Sequence, residues 1–199
     1  MERARRIHWG GVALMLGTLV FLPVKIRHLV DPDDSLLGIF LWVGFTAWLV
    51  GLVALYSRYQ ARAGRLGKIG LITNIVGIVF LAIGHLGSFI LQTDLFLFVV
   101  VGTLGLIIGA LLFGIAALRA PVLPTWRSLP LATGLLGLAW IFLTNSETSR
   151  GRFLVLRTLF GLGWLLLGYI LWSDRSGVAM PAERRISNTP DEQVPVGGS

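Results

Sequence analysis

The sequence contains no cysteine, and only 14% of its 199 residues are charged. The absence of cysteine excludes disulfides, thiolate metal sites, cysteine nucleophiles and lipidated cysteines. With 55% hydrophobic residues and a mean hydropathy of +0.79, the chain has too few polar side chains to cover the surface of a soluble domain. Extended disorder is also excluded for most of the length, because it requires low hydrophobicity. The composition therefore predicts an integral membrane protein.

Six apolar stretches approach the length of about 20 residues that a transmembrane helix needs. They lack the alternation of barrel strands. The sequence therefore predicts an all-α polytopic transmembrane bundle with spans at 9–30, 35–56, 69–91, 95–118, 129–146 and 153–172. The fifth stretch is apolar only over residues 129–143, which is also compatible with a re-entrant or interfacial segment. Residues 1–172 form the predicted transmembrane domain, and 173–199 form a predicted disordered cytoplasmic tail.

Basic residues flank these spans unevenly, which predicts their orientation. With six spans, one side carries twelve Lys and Arg residues, namely Arg3, Arg5, Arg6, Arg58, Arg62, Arg65, Lys68, Arg119, Arg127, Arg175, Arg184 and Arg185. The other side carries five, namely Lys25, Arg27, Arg150, Arg152 and Arg157. By the positive-inside rule both termini are cytoplasmic in a multi-pass protein of the cell (inner) membrane. Without the fifth span, the C-terminal tail would lie outside. The net charge of +7 is thus an orientation signal, and we expect no nucleic-acid partner.

One loop carries a recognisable run of residues. Residues 117–130, ALRAPVLPTWRSLP, resemble the cytoplasmic loop of small multi-span bacterial integral membrane proteins of unknown function, which carry an LR…VLP-x-W run between two helices. Those proteins also show a GRLGKIG-like entry to a span, here at residues 64–70. The resemblance implies a bacterial inner-membrane location and no activity. Two pairs of consecutive predicted helices end in similar basic segments. This similarity fits either an internal duplication or the general likeness of Leu/Gly-rich helices.

Charged residues are missing from the cores of five predicted spans, and this limits which transport and enzymatic functions the protein can have. Residues 36–56, 69–91, 95–118, 129–143 and 158–172 contain no Asp, Glu, Lys or Arg. Proton- and ion-coupled transporters need such residues at membrane depth. No phosphate loop, dinucleotide fingerprint, zincin motif or nucleophile elbow is present either. We therefore expect neither ion-coupled transport nor enzymatic activity.

His85 is the one ionisable residue that the sequence places clearly inside a span. As a neutral imidazole it is a candidate ligand for haem iron or a metal, together with His28. The alternative is an imidazole hydrogen-bonded to a carbonyl or across helices. Only three histidines exist, and His8 belongs to the opposite side, so a multi-His site is excluded. We expect no resident cofactor or metal.

Small residues recur along the third span. Gly70, Gly77 and Gly84 are seven residues apart, and Asn74 lies on the same stripe. Small side chains at this spacing predict a helix-packing seam, and a substrate-binding stripe is the alternative. Four tryptophans lie deeper in the spans and are expected to pack between helices, namely Trp42, Trp48, Trp140 and Trp164.

These features favour a structural, accessory or interaction subunit, whose partners are the lipid bilayer and a membrane protein or a second copy of the chain. One alternative is an uncoupled carrier or channel for a small neutral or lipophilic solute, lined by the glycine stripe and Asn74. A second alternative is a haem- or quinone-associated subunit that uses His85.

Overall fold

In a computed structural model the chain folds into six α-helices. The structure describes residues 2–28, 36–91, 93–120, 123, 126–143 and 150–173, and no strand occurs among them. The helices are α1 (Glu2–His28), α2 (Leu36–Tyr59), α3 (Gly64–Leu91), α4 (Phe96–Arg119), α5 (Leu129–Leu143) and α6 (Arg150–Ser173). The all-helical prediction is confirmed, and each helix overlaps one predicted span. The tail from residue 174 and the predicted end of the fifth span at 144–146 lie outside the described residues.

Four helices are long and apolar enough to cross a bilayer, over Phe40–Tyr59, Gly64–Ser88, Phe96–Arg119 and Leu154–Ser173. Two shorter apolar helical segments cover Ile7–Leu22 and Leu129–Leu143. Large apolar side chains point outward, such as Leu97 at 71% and Phe142 at 73% exposed. A surface of this kind is costly in water and is suited to lipid. These are the features of a membrane protein.

The six helices form a closed ring. Each helix packs against its neighbours in sequence, and α6 packs against α1. Neighbouring helices run antiparallel: Gly70, near the start of α3, lies against Phe113 near the end of α4, and Gly84 lies against Val99 near the start of α4. Because every helix has two neighbours in the ring, all six present one face to a common interior.

Glycines bring the backbones of α3 and α4 together. A Cβ atom added to Gly70, Gly77 or Gly84 would lie 2.6 to 2.8 Å from a backbone nitrogen of α4. Asn74 is fully buried in the same contact beside Gly109. Backbones this close exclude any side chain, because even a methyl group would overlap the facing helix.

The deep tryptophans differ in their surroundings. Trp48 and Trp164 are 2% and 1% exposed and pack edge-to-face with ring centroids 5.9 Å apart. Trp42 was expected to pack between helices, and this prediction is wrong, because Trp42 is 51% exposed on the outer surface of α2. In a membrane helix both faces are apolar, so hydrophobicity alone does not identify the inward face.

Substituting Gly77 by alanine should destabilise the bundle. The added Cβ would lie 2.8 Å from the backbone nitrogen of Leu106 and 2.9 Å from the carbonyl oxygen of Gly102, so α3 and α4 would have to separate. Overpacking of this kind costs about 1–3 kcal/mol. We expect a lower midpoint for thermal unfolding of the detergent-solubilised protein, followed by circular dichroism.

Gly44→Ala is the matched control on α2. The nearest atom to its added Cβ is Cγ1 of Val20 at 3.4 Å, which is close to ordinary van der Waals contact. Since alanine favours a helix over glycine by about 1 kcal/mol, this variant should keep or gain stability. Equal midpoints for Gly77→Ala and Gly44→Ala would contradict the close packing of α3 and α4.

Candidate functional site

A cavity of about 150 Å³ lies in the centre of the helix ring. Every one of the six helices contributes at least one side chain to its wall, and aromatic and aliphatic groups make up most of that wall. The described residues that line it are Thr18, Phe21, Leu22, Trp48, Leu81, His85, Val99, Thr103, Leu106, Trp140, Arg157, Phe160 and Gly161. We call this the central cavity.

The central cavity lies toward one end of the bundle. Its lining residues come from the second halves of α1, α3 and α5, from the first halves of α4 and α6, and from the middle of α2. This is the end that carries the connection between α3 and α4. Toward the other end the interior is filled by side chains that are at most 1% exposed, including Tyr59, Phe113 and Leu123. The cavity is therefore closed on that side.

Arg157 places a positive charge on the cavity wall. Its Cζ atom lies 5.5 Å from the ring centroid of Phe21 and 5.5 Å from that of Trp140. A guanidinium over an aromatic face is attracted by the negative π surface, typically by about 0.5–2 kcal/mol. The rings of α1 and α5 therefore hold this cation, which belongs to α6, inside the bundle.

His85 lies on another wall of the cavity. Its Nδ1 lies 3.0 Å from the carbonyl oxygen of Leu81, one turn earlier on α3. Because a carbonyl oxygen only accepts, Nδ1 carries the hydrogen and donates it. The imidazole packs against Phe45 and Phe21, with ring centroids 5.6 and 6.5 Å apart. In the neutral ring, Nε2 is then the nitrogen that can accept a hydrogen bond or ligate a metal.

Two threonines and a tryptophan complete the polar part of the wall. Thr18 and Thr103 donate their hydroxyl hydrogens to carbonyl oxygens one turn earlier, at 2.9 and 2.8 Å, so their oxygens are left to accept. The indole N–H of the buried Trp48 has no hydrogen-bond partner in the described part of the chain. An unmatched buried donor costs about 1–3 kcal/mol, which an acceptor oxygen on a ligand would offset.

The size and charge of the cavity limit what it can hold. An engineered cavity of this size in another protein binds benzene, so the space suits one six-membered ring and is small for a porphyrin. Arg157 is the only permanently charged side chain among the described lining residues. The described residues contain no group of three or more His, Cys, Asp or Glu side chains placed to hold a metal ion.

The predicted site residues lie in two different places. Gly70, Asn74, Gly77 and Gly84 lie in the contact of α3 with α4, and none of them is among the described lining residues of the cavity. His85 does line the cavity, whereas the side chain of His28 lies outside the described part of the structure.

Arg157 is the residue that sequence reasoning missed. It was counted with Arg150 and Arg152 among the cations of the outer side, although the predicted span at 153–172 includes it. In the structure α6 begins at Arg150 and carries Arg157 two turns into the helix. A signal was present: Arg157, Phe160, Gly161 and Trp164 follow the i, i+3, i+4, i+7 pattern of one helix face, and the last three are buried. That periodicity places the arginine on the inward face.

Comparison of the chain with protein-family models, with curated proteins and with solved structures gives no match. The geometry of the central cavity therefore carries the functional argument.

The hydrogen bond of His85 predicts its tautomer. In alkaline buffer, where an imidazole is neutral, ¹⁵N solid-state NMR of the membrane-embedded protein should show a protonated Nδ1 and an unprotonated Nε2 for this residue. Comparison with the His85→Gln variant assigns the signals. A protonated Nε2 with a bare Nδ1 would contradict the bond to Leu81.

Proposed function

We propose that the protein binds a small lipophilic molecule inside the helix ring and acts as an uncoupled, non-enzymatic carrier in the membrane. The observation that supports this proposal is the central cavity, to which all six helices contribute and whose largely apolar wall carries a few polar groups. Sites for small molecules generally combine an apolar wall with a few placed polar groups.

The described wall of the cavity favours uncoupled binding. It contains no Asp or Glu, and carboxylates are the groups that ion-coupled carriers use most to take up and release cations. The ligand is about as large as one six-membered ring, because the volume of the cavity is about 150 Å³. Aromatic walls formed by Phe21, Trp140 and Phe160 favour a ligand with a flat apolar body.

The proposal includes a topology of six spans in the inner membrane with both termini cytoplasmic. It rests on the distribution of twelve against five basic residues between the two sides of the predicted spans. In this orientation the connection of α3 with α4 faces outward, and the central cavity lies in the outer half of the bundle. In this topology the short helix α5 also crosses the bilayer, and the residues that flank it complete the crossing.

Single cysteines test this topology, since the natural chain has none. Thr93→Cys, in the exposed connection of α3 with α4, should react with a membrane-impermeant maleimide in intact spheroplasts. Ala61→Cys and Ser128→Cys should react only after permeabilisation. Ser187→Cys, in the tail, should behave like Ala61→Cys. Labelling of Ser187→Cys in intact spheroplasts would show that α5 does not cross.

Filling the central cavity should weaken ligand binding. Thr103→Leu adds apolar volume to the wall, so benzyl alcohol, benzamide and benzoate should bind the variant roughly tenfold or more weakly than the natural protein. Binding is measured by ligand-observed saturation-transfer NMR on protein in nanodiscs, with empty nanodiscs as the baseline.

Val101→Leu is the control, because it adds similar bulk on the same helix at a position 42% exposed on the outer surface. It should bind these compounds as the natural protein does. If none of the compounds binds the natural protein above the empty-nanodisc baseline, the carrier proposal is wrong. A stoichiometric membrane partner in a native purification would then favour the accessory role.

A further inference from the structure

A second apolar space lies between α2 and α3 on the outer surface of the helix ring. It is a groove of about 450 Å³, and no charged side chain occurs among the described residues that line it. Trp42, Ile83 and Ile90 line it and are exposed, so the groove is open to the surroundings of the bundle. In a bilayer such a surface is in contact with hydrocarbon and with apolar molecules dissolved there. We call this the lateral groove.

Phe45 connects the lateral groove with the central cavity. It is one of the residues that line the groove, and its side chain is almost completely buried. Its ring centroid lies 5.6 Å from that of His85 and 5.6 Å from that of Phe21, and both of those residues line the central cavity. On α3, His85 lines the cavity, whereas the next residue, Leu86, lines the groove. Phe45 and its ring neighbours therefore form the partition between the two spaces.

The contact that contains this partition is the least extensive of the ring. Glycines join α2 to α1, as at Gly51 beside Leu14, and they join α3 to α4, as at Gly77 beside Leu106. Such close backbone contacts hold membrane helices together tightly. Separating α2 from α3 therefore breaks less packing than separating any other neighbouring pair in the ring.

We propose that the lateral groove is the entry site through which an uncharged, ring-sized lipophilic molecule passes from the bilayer into the central cavity, with Phe45 as the gate. This inference rests on the proposed function. A lipophilic molecule concentrates in the bilayer and not in water, and the groove is open on that side. The end of the bundle packed by Tyr59 and Phe113 is closed to it. Displacement of the Phe45 ring, with a small separation of α2 from α3, joins the groove to the cavity.

Ala82→Phe tests the entry site, because it places a ring in the lateral groove without touching the described lining of the central cavity. The probe is para-fluorobenzyl alcohol, and its exchange between the bound and free states is followed by ¹⁹F NMR on the full chain in nanodiscs. We expect the association and dissociation rates to fall together, by roughly tenfold, and the Kd to stay the same. An obstacle on the path raises the barrier equally in both directions.

Ala132→Phe is the matched control, since it adds the same ring at an exposed position of α5 outside the groove, and it should change neither rate. Phe45→Leu tests the gate: a smaller side chain in the partition should raise both rates severalfold.

A reversible block in a single variant keeps the test independent of folding. Thr46→Cys places the only cysteine of the chain in the lateral groove. The thiol is modified with benzyl methanethiosulfonate in detergent before reconstitution. The modified protein should exchange the probe as slowly as Ala82→Phe, and removal of the benzyl group with dithiothreitol should restore the rates.

The outcomes separate this inference from the proposed function. If the probe binds but exchanges at the natural rate in Ala82→Phe and in modified Thr46→Cys, the lateral groove is not the entry site, and the carrier proposal stands. Disulfide-linked dimers of Thr46→Cys in oxidised membranes would show that a second copy of the chain covers the groove, and would also overturn the inference. No binding of the probe by the natural protein would overturn both proposals together.

Discussion

The packing of α6 against α1 is the contact on which the central cavity depends. Five contacts between consecutive helices would produce only an open row, and the sixth closes the row into a ring around an interior. This closing contact is made at glycine: a Cβ at Gly168 would lie 3.0 Å from the carbonyl oxygen of Gly11 and 3.0 Å from the backbone nitrogen of Met15. Without an aqueous driving force between helices in lipid, such close van der Waals contact supplies much of the association energy. The cavity, its cation and its aromatic wall therefore all follow from small residues at the ends of the chain's helical part.

Arg157 is positioned by this closure. A charge at membrane depth is costly in hydrocarbon and is tolerated where it faces a bundle interior with suitable partners. Phe21 of α1 and Trp140 of α5 supply two such partners, and both helices are neighbours of α6 in the ring.

Much of the fold follows from hydropathy, whereas the site does not. Runs of apolar residues reveal helices because only helices and closed barrels satisfy the backbone in lipid. The seven-residue spacing of Gly70, Gly77 and Gly84 is likewise visible in the sequence, and these residues lie where α3 and α4 are closest. The inward face of each helix is harder to identify, as the exposed Trp42 illustrates. Arg157 was missed because it was counted with Arg150 and Arg152 among the flanking cations, although it lies within the predicted span at 153–172, and hydropathy does not show which face of that helix it occupies. The cavity forms only where six helices pack together, so the sequence of any single segment does not predict it.

The ring is closed at one end, and this sets a requirement for transport. Tyr59 and Phe113 pack with ring centroids 6.3 Å apart beyond the end of the cavity, and the fully buried Leu123 belongs to the same core cluster. A molecule bound in the central cavity therefore has no path through this packed end. A carrier must also adopt a second arrangement in which this packed end opens and the cavity end closes. The helices α3 and α4 would move as one rigid unit in this change of arrangement. Their short connection and their close glycine contact keep the two helices together. The contact of α2 with α3, beside His85, is the least extensive in the ring, so under the proposed carrier function we expect the ring to separate there.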